Sequence, residues 1–500
     1  MWIERSAESC FGPLIVSESN VRTGVPRMLI VPDEAPIAKR PDLLVHALAQ
    51  LPDDVELQLS AGQPRDRIVL LATAYGVEQR LHFEGGSPRA AEQVFSAAAD
   101  TGSMAELLDA LGPAGGPVSR RRGRDELFAE QRIAILTNLP THYRVPLLNA
   151  MSERLAAAGA SLRVFFTAAR PWARSWMAPV PLQFDHEFLR SVPVPLGMDL
   201  PFDLERQVQR FAPTLVLVPG FSPAVAVRAA AAARWMRVPY GIWSGEIPAA
   251  PSAKSGMRRR QRQALLRRAT FAISYGHLSA EFLAGLASQV PVVYGRNTTP
   301  ILVRPARRAD DDAVIEILAV AQAIRRKRLD VAVAAFEHLR DLPCRLTVIG
   351  DGEELAALKQ SALALDNIRF LGAVPSDRTL QAYSEASIFL FPTEFDVFGL
   401  VLVEAMGAGL APVVSQDAGA ISDLALPGRN CALVDGHDPR AWAAAIRALV
   451  ENPQRRRTMG EMARQTVLSR WTMEHAVDAM LAGLRLGVLA GGTLQRPGQR

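Results

Sequence analysis

The segment FPTEFDVFGLVLVEAMGAG, residues 391–409, places two carboxylates, Asp396 and Glu404, around a short apolar run. Together with the apolar residues before it, the segment predicts a buried strand, a loop over 392–398 and a helix that begins near Gly399. The first backbone N–H groups of a helix have no intrahelical partner and carry partial positive charge, so they bind anions such as a diphosphate. A glycine there allows the backbone to approach the anion closely.

The two carboxylates flank this helix start. Glu404 lies about a turn and a half into the helix, where its carboxylate can accept two hydrogen bonds from a vicinal diol such as that of ribose. Asp396 lies on the loop before the helix. If a diphosphate binds at the helix start, a sugar attached to its far end would lie near Asp396. The alternatives are a turn or capping role for Asp396 and a solvated position for Glu404. However, the neighbours of Glu404 are apolar and predict a buried helix, in which a carboxylate needs a partner. The segment therefore favours a nucleotide-sugar site.

The bulk properties set the broad class of the protein. A chain of 500 residues exceeds the size of one hydrophobic core and predicts two or three domains. No run of roughly 18 uncharged apolar residues occurs, so we expect no membrane span. The N-terminus MWIERSAESCFG lacks the basic and then apolar pattern of a signal peptide. Cys10, Cys344 and Cys431 lie far apart, which fits a reducing cytoplasm and argues against a disulfide framework or a zinc site.

Two arginine-rich clusters account for much of the net charge of +5. The cluster SRRRGR (119–124) lies in a Gly/Pro-rich stretch and predicts a linker. The cluster MRRRQRQALLRR (257–268) contains helix formers and predicts a basic helix. This helix is either a solvated face or a contact with an anionic membrane surface. Because aromatic residues are not interleaved with either cluster, we do not expect nucleic-acid binding.

The pattern of apolar runs predicts two doubly wound domains. From about residue 126, short β-rich runs such as RIAILT, SLRVFF, LVLV and YGIW alternate with helical runs, and a second such series begins with VIEILAV at residue 314. Continuous apolar strands that alternate with helices indicate parallel sheets covered on both faces. The predicted fold class is therefore α/β, with two Rossmann-like domains that face a cleft.

Part of the N-terminal region resembles part of the second series in sequence. The stretch APIAKRPDLLVHAL (35–48) resembles AIRRKRLDVAVAAF (323–336), and LHFEGG (81–86) resembles IRFLGA (368–373). A partial copy of the second domain, without a counterpart of 391–404, is therefore expected here as a structural element. The predicted organisation comprises the partial repeat 1–110, a basic linker 111–128, a first Rossmann-like domain 129–305, a second one 306–468, a closing helix 469–487 and a flexible tail 488–500.

The segment 391–409 resembles the E-x7-E signature of the retaining GT4 family of GT-B glycosyltransferases, known as glycosyl transferases group 1. Other stretches resemble family motifs in the same order. AQAIRRKRLD is similar to the pyrophosphate loop, VIGDGEE to the V-G-D-G-P turn, and RWTMEHAV (470–477) to the closing helix. The resemblance covers about 130–485. It implies a GT-B fold, with the donor nucleotide-sugar on the second domain and the acceptor on the first.

The resemblance implies a role for each matching position. Among the residues with catalytic roles, Glu404 holds the ribose hydroxyls, Asp396 contacts the transferred sugar and Lys327 neutralises the diphosphate. Further donor-binding positions are Gln322, Arg326, Gly350, Phe370, Leu371, Phe398, Gly399, Leu400 and Val401. The candidate acceptor-side residues are His142, Tyr143, Arg144, Trp243, Glu246 and Asn297. For Tyr143 and Arg144, packing and a surface ion pair are equally good alternatives.

The chain departs from the family pattern at the donor site. Asp396 replaces the usual glutamate and is one methylene shorter, with Glu394 close by as an alternative acid. Gln322 stands where arginine is frequent, which removes a bidentate phosphate contact. Arg325 or Arg326 can compensate for that loss.

The expected reaction is transfer of a hexose-type sugar from an NDP-sugar to an acceptor hydroxyl, with retention of configuration. The acceptor is a glycan or a lipid-linked glycan, in polysaccharide assembly at the cytoplasmic face of the membrane. We expect no cofactor and no metal requirement. The alternative is a nucleotide-sugar-binding partner without turnover. A NAD-dependent dehydrogenase is disfavoured because no G-x-G-x-x-G follows a strand.

Overall fold

The computed structural model of the chain describes residues 14–16, 27–30, 41–50, 55–59, 65–75, 77–83, 95–97, 122–167, 180–194, 198–249, 256–300 and 314–494. The chain forms two compact units. The first unit comprises Met1–Trp172, Val180–Arg296 and Glu474–Arg500, and the second comprises Ala173–Pro179 and Asn297–Met473. The boundary predicted at 305/306 lies outside the described residues.

An N-terminal layer belongs to the first unit. Three of its strands are parallel, and the other two pair antiparallel at one edge, in the order β4-β3-β2-β1-β5. Two helices follow the second and third strands. The elements are β1 (Leu14–Val16), β2 (Arg27–Ile30), α1 (Pro41–Gln50), β3 (Val55–Leu59), α2 (Arg65–Tyr75), β4 (Leu81–Phe83) and β5 (Phe95–Ala97).

A seven-stranded parallel sheet forms the body of the first unit, in the order β14-β13-β12-β11-β6-β7-β8. Its central strands are apolar because both of their faces are buried. The strands are β6 (Arg132–Thr137), β7 (Ser161–Phe166), β8 (Asp185–Phe188), β11 (Leu215–Pro219), β12 (Tyr240–Ser244), β13 (Phe271–Ser274) and β14 (Val292–Val293), and a separate hairpin is formed by β9 (Ser191–Val194) and β10 (Met198–Pro201). The helices are α3 (Arg144–Ala157), α4 (Leu204–Phe211), α5 (Arg228–Trp235), α6 (Gly256–Leu266) and α7 (His277–Leu286).

The second unit contains a six-stranded parallel sheet in the order β17-β16-β15-β18-β19-β20. The strands are β15 (Ile315–Val320), β16 (Cys344–Ile349), β17 (Ile368–Gly372), β18 (Ile388–Phe391), β19 (Ala411–Ser415) and β20 (Ala432–Val434). The helices are α8 (Leu329–Ala335), α9 (Leu355–Ser361), α10 (Ser376–Glu385), α11 (Leu400–Ala408), α12 (Ile421–Leu424), α13 (Pro439–Val450) and α14 (Pro453–Arg470).

The N-terminal layer repeats the strand order of part of the second unit. Strands β4-β3-β2 are parallel and adjacent, as are β17-β16-β15, and a helix follows the corresponding strands in both. The two sheets differ at the next position. There the antiparallel β1 pairs with β2, whereas the parallel β18 pairs with β15.

Buried polar contacts attach the N-terminal layer to the rest of the first unit. The hydroxyl of Tyr75 accepts a hydrogen bond from the backbone N–H of Tyr294 (3.0 Å) and lies 3.1 Å from Nδ1 of His46. The rings of His46 and Tyr294 stack with their centroids 4.2 Å apart. From the last helix, α15 (Met473–Leu494), Arg485 donates to the carbonyl of Ala74 (3.1 Å). Because these partners are far apart in sequence, the layer is an integral part of the first unit.

Helical structure extends into two of the segments predicted to be a linker and a tail. Residues 122–128 of the predicted linker form a 3₁₀ helix in which Phe128 is fully buried, and Asp125 pairs with Arg485 (2.6 Å). Residues 488–494 of the predicted flexible tail continue α15. In 122–128 the buried Phe128 and the Asp125–Arg485 ion pair stabilise structure where composition alone indicated a loop. Across the described ranges, no helix is both long enough and apolar enough to span a bilayer.

Candidate functional site

The sheet order of the second unit reverses between β15 and β18. Strands β16 and β17 lie on one side of this pair, and β19 and β20 lie on the other. In open parallel sheets, the loops at the carboxyl ends of the two strands at such a point diverge and leave a crevice that binds ligands. The loops in this position are 321–327 and 392–399, which carry six of the twelve residues that the resemblance assigns to the donor side.

Gly399 sets the start of α11. It has φ +98° and precedes the first helical residue, Leu400, as the sequence predicts. A Cβ at this position would lie 2.6 Å from the ring of Phe391, so both the space and the backbone conformation require glycine. The backbone amides at the start of α11 are therefore next to a residue without a side chain, which leaves them open to an anion.

Glu404 is buried inside the second unit and hydrogen-bonded. Its side chain accepts hydrogen bonds from the hydroxyl of Tyr383 (2.9 Å) and from Oγ1 of Thr299 (3.2 Å). Burial raises the pKa of Glu404 to about 7, while the hydrogen bonds from Tyr383 and Thr299 act in the opposite direction. The partner that a buried carboxylate requires is thus supplied by the protein, and Glu404 titrates near neutral pH.

Lys327 and Asp396 form an ion pair between the two loops of the crevice. Both side chains are largely buried, and Nζ of Lys327 also lies 5.6 Å from the ring centroid of Phe391. Burial lowers the pKa of Lys327, and the Asp396 carboxylate partly opposes this shift. The cation assigned to the diphosphate and the acid assigned to the transferred sugar are therefore in direct contact.

The other donor-side residues occupy different environments. Gln322 is exposed on the loop after β15. Arg326 donates to the carbonyl of Phe395 (2.9 Å), so this arginine connects the two crevice loops. Phe370 and Leu371 are half-buried near the end of β17. The loops after β15 and β16 pack so closely that a Cβ at Gly350 would lie 1.7 Å from the carbonyl oxygen of Ala321.

Three contacts of this site were not predicted from the sequence. Tyr383 and Thr299 bind Glu404, and Trp471 stacks on Phe398 with ring centroids 5.9 Å apart. Tyr383 is the one aromatic residue of the largely polar helix α10, and this was the available signal that it packs inward. Thr299 lies 105 positions from Glu404 in the chain, and no sequence pattern connects the two.

A cavity of about 440 Å³ lies at the carboxyl ends of the strands in the first unit. This sheet reverses its order between β6 and β11, and residues that follow both strands line the cavity. Two predicted acceptor-side residues, Arg144 and Trp243, are in the lining, together with Tyr275, which was not predicted. The Arg144 guanidinium carbon lies 5.2 Å from the centroid of the Trp243 ring.

The remaining acceptor-side candidates lie elsewhere. Glu246 pairs with the buried Arg262 of α6 and is not among the residues that line this cavity. His142 and Tyr143 precede α3 and contact each other with ring centroids 5.3 Å apart. Asn297 belongs to the second unit, where its carbonyl accepts a hydrogen bond from the indole of Trp471 (3.0 Å). In the part of the chain that the structure describes, no group of three or more His, Cys, Asp or Glu side chains is arranged to hold a metal ion.

Residues 305–466 match the family model for glycosyl transferases group 1. The D-inositol 3-phosphate glycosyltransferase of Xylanimonas cellulosilytica is 34% identical over 175 residues, which is 34% of this chain and 40% of that protein. The corresponding enzyme of Corynebacterium urealyticum is 30% identical over 161 residues, or 31% of this chain and 38% of that protein. The similarity thus spans about two fifths of these relatives and is confined to about a third of the chain.

Solved structures extend the comparison to most of the chain. Anabaena Alr3699/HepE in complex with UDP and glucose has a TM-score of 0.55 at 17% identity, covering 73% of this chain and 99% of that one. Sucrose-phosphate synthase from Thermosynechococcus elongatus has a TM-score of 0.56 at 19% identity, covering 73% and 98%. These likenesses show that the chain has the α/β fold of GT-B glycosyltransferases, with two Rossmann-like sheets, as the sequence predicts.

Proposed function

We propose that this protein is a retaining glycosyltransferase that moves a hexose-type sugar from an NDP-sugar to an acceptor hydroxyl. The observation that carries the proposal is the crevice at the β15/β18 reversal. There the buried Lys327 and Asp396 form an ion pair, and a helix that starts after Gly399 carries the buried Glu404. The match of 305–466 to glycosyl transferases group 1 supports it, and so does the similarity to a structure that holds UDP and glucose.

The crevice has the charges that departure of a diphosphate requires. As the glycosidic bond breaks, negative charge develops on the leaving phosphate. The amide groups at the start of α11 and Lys327 would stabilise that charge. Removal of one such preorganised donor typically costs about 3–4 kcal/mol of activation free energy. Glu404 would hold the ribose, because an ionised carboxylate accepts hydrogen bonds from both hydroxyls of the diol.

Binding of the donor would rearrange the Lys327–Asp396 pair. In the proposed complex, Lys327 turns to the diphosphate and Asp396 accepts hydrogen bonds from hydroxyls of the transferred sugar. The acceptor hydroxyl attacks from the face that the diphosphate leaves, and the leaving phosphate takes its proton. In this proposal no bound metal takes part, and turnover persists in EDTA.

We further propose that α6 places the protein at an anionic membrane surface. Met257, Arg258, Arg259 and Arg260 are exposed on this helix. Arg262, on the same helix, is buried and paired with Glu246, so it fixes the helix to the first unit. Co-sedimentation with phosphatidylglycerol vesicles tests this. We expect salt-sensitive binding that the triple variant Arg258→Gln/Arg259→Gln/Arg260→Gln loses, and absence of binding by the native protein would exclude it.

A donor screen tests the catalytic proposal. The full-length protein is incubated with UDP-, GDP- and ADP-hexoses and a panel of glycan acceptors, NDP release is measured, and the product anomer is assigned by NMR. We expect release with one donor class and a retained anomer. Nucleotide binding without release for any acceptor would identify a nucleotide-sugar-binding protein instead. An inverted product would contradict the retaining mechanism.

A further inference from the structure

Arg144 in the first unit makes an unusual set of hydrogen bonds. Its Nη1 donates to Oγ1 of Thr137 (2.6 Å) and to Oδ1 of Asn138 (2.8 Å), and its Nη2 donates to the hydroxyl of Tyr275 (3.0 Å). Burial raises the pKa of Tyr275, so this phenol remains neutral. All three acceptors are therefore uncharged, and the guanidinium charge is positioned by neutral oxygens rather than by a carboxylate.

The charge of Arg144 has no counter-ion in the described part of the chain. The charged or polar groups that act on it most are Tyr275 and Tyr143, with no aspartate or glutamate among them. Its Nε is also buried without a hydrogen-bond partner. An arginine taken out of water usually pairs with an acid, because an isolated charge in a region of low polarisability is costly. Other semi-buried arginines of this unit follow that rule, such as Arg154 with Asp125 and Arg262 with Glu246.

Arg144 lies where a bound ligand could reach its guanidinium group. The residue lines the cavity of about 440 Å³ at the β6/β11 reversal, and the rings of Trp243 and Tyr275 line the same cavity. These two rings lie with their centroids 5.7 Å apart and provide apolar walls of the kind that sugar rings contact. Asp199, the one carboxylate among the described lining residues, forms no ion pair with Arg144 and is suited to accept from a hydroxyl of the same ligand.

We propose that Arg144 binds an anionic group of the acceptor, a phosphate or a carboxylate, so that the acceptor substrate is a charged rather than a neutral sugar or polyol. The inference rests on the proposed function, because it assigns this cavity to the acceptor. A planar guanidinium with donors left over suits either oxyanion. A neutral acceptor would leave the half-buried charge of Arg144 without a counter-ion from the described residues.

Matched pairs of ligands test the inference on the full-length native protein. Binding is measured by calorimetry and saturation-transfer NMR, without nucleotide, for glucose 6-phosphate and glucuronate against glucose, and for glycerol 3-phosphate against glycerol. We expect at least one anion to bind about 10- to 100-fold more tightly than its neutral partner, as for hydrogen bonds to charged groups. Tighter binding of glucose 6-phosphate would indicate a phosphate site, and tighter binding of glucuronate would indicate a carboxylate site. Equal binding within every pair, or no binding of any anion, would overturn the inference.

Variants then locate the effect. Arg144→Gln should abolish the preference for the anion, and Arg144→Lys should retain part of it, because charge remains but the planar fork is lost. Arg206→Gln on α4 is the matched control, since it removes one exposed arginine of the same unit. Thermal unfolding checks that each variant folds. If Arg144→Gln fails to fold, Arg144→Lys and the comparison of ligand pairs still test whether Arg144 binds the anion. An Arg144→Gln variant that folds and binds the anion as the native protein does would contradict the proposal.

Parallel titration with UDP, GDP and ADP separates this inference from the proposed function. Arg144→Gln should bind the nucleotide as the native protein does, because Arg144 lies in the first unit and the nucleotide site in the second. Sugar transfer to neutral acceptors with native rates in Arg144→Gln would leave the glycosyltransferase assignment standing and remove the anionic acceptor. Anion binding by a protein that turns over no NDP-sugar would support the anion site and contradict the glycosyltransferase assignment.

Discussion

Lys327 and Asp396 form a buried ion pair that connects the loops after two adjacent parallel strands, β15 and β18. The two residues lie 69 positions apart in the chain. Burial lowers the pKa of the lysine, yet its carboxylate partner favours the charged form. In the proposed complex, a diphosphate at the start of α11 would meet a lysine that is already desolvated.

The first prediction concerns this lysine. Lys327→Ala should weaken binding of the NDP-sugar by about 10- to 100-fold, because a charge-assisted contact with the diphosphate is lost. Calorimetric titration with the nucleotide measures the change. Lys359→Ala removes an exposed lysine from α9 of the same unit and should bind as the native protein does. Equal affinity in both variants would contradict the role of Lys327.

The second prediction concerns Glu404. Glu404→Ala should abolish NDP release, because it removes the acceptor for the ribose hydroxyls. Glu404→Gln should retain the fold but release NDP slowly. A glutamine side chain has only one oxygen acceptor and no charge, so it cannot accept a hydrogen bond from each hydroxyl of the diol as a carboxylate can. Steady-state assays with the donor found in the screen measure both. Glu385→Ala, at the end of α10, serves as the control. Native rates in Glu404→Ala would remove this residue from the site.

The third prediction is a pH dependence of stability. The pKa of Glu404 is raised from 4.5 to about 7 by burial. The folded protein therefore binds more protons than the unfolded chain between these values, and the contribution of Glu404 to stability falls as the pH rises through this window. The loss is on the order of 3 kcal/mol. Urea unfolding from pH 4.5 to 8 should show a flatter profile for Glu404→Gln than for the native protein. Parallel profiles would show that Glu404 is not buried as described.

The fourth prediction has the opposite sign. The pKa of His46 is lowered well below 6.5, first by burial and then by the nearby Arg296 and His277. The unfolded chain then binds the extra proton, so stability contributed by neutral His46 is present above pH 6.5 and is lost as the pH falls below it. Hydrogen exchange at pH 7 and pH 5 should show weaker protection of α1 and β3 at pH 5. His46→Gln should show less of this change, and an unchanged pH response in the variant would contradict the assignment.

The fifth prediction separates two costs of a side chain at Gly399: the steric clash of its Cβ and the unfavourable backbone conformation. Gly399→Ala should abolish nucleotide binding and destabilise the second unit, because its Cβ would collide with Phe391 and its φ of +98° is unfavourable for alanine. Gly372→Ala has a positive φ of +68° but open space around it, so it reports the conformational cost alone. Thermal unfolding compares the two. A similar loss of stability in both variants would show that the contact with Phe391 carries no cost.

The strands and the start of α11 could be predicted from the sequence, because they depend on apolar periodicity and on local residues. Apolar strands such as β6, β15 and β18 are buried on both faces, so their residue pattern indicates both their type and their parallel pairing. The start of α11 was also predicted, because Gly399 marks it locally. The contacts of Thr299 with Glu404 and of Tyr275 with Arg144 were not predicted, because these residues lie 105 and 131 positions apart in the chain.

The antiparallel direction of β1 has a consequence for the N-terminal layer. Three of its strands share the arrangement of β15, β16 and β17, but the strand that pairs beside β2 points the opposite way from β18. The carboxyl ends of β1 and β2 therefore lie at opposite rims of their sheet, whereas those of β15 and β18 lie at the same rim. With these two strand ends on opposite rims, we expect the N-terminal layer to supply packing surface and no second nucleotide site.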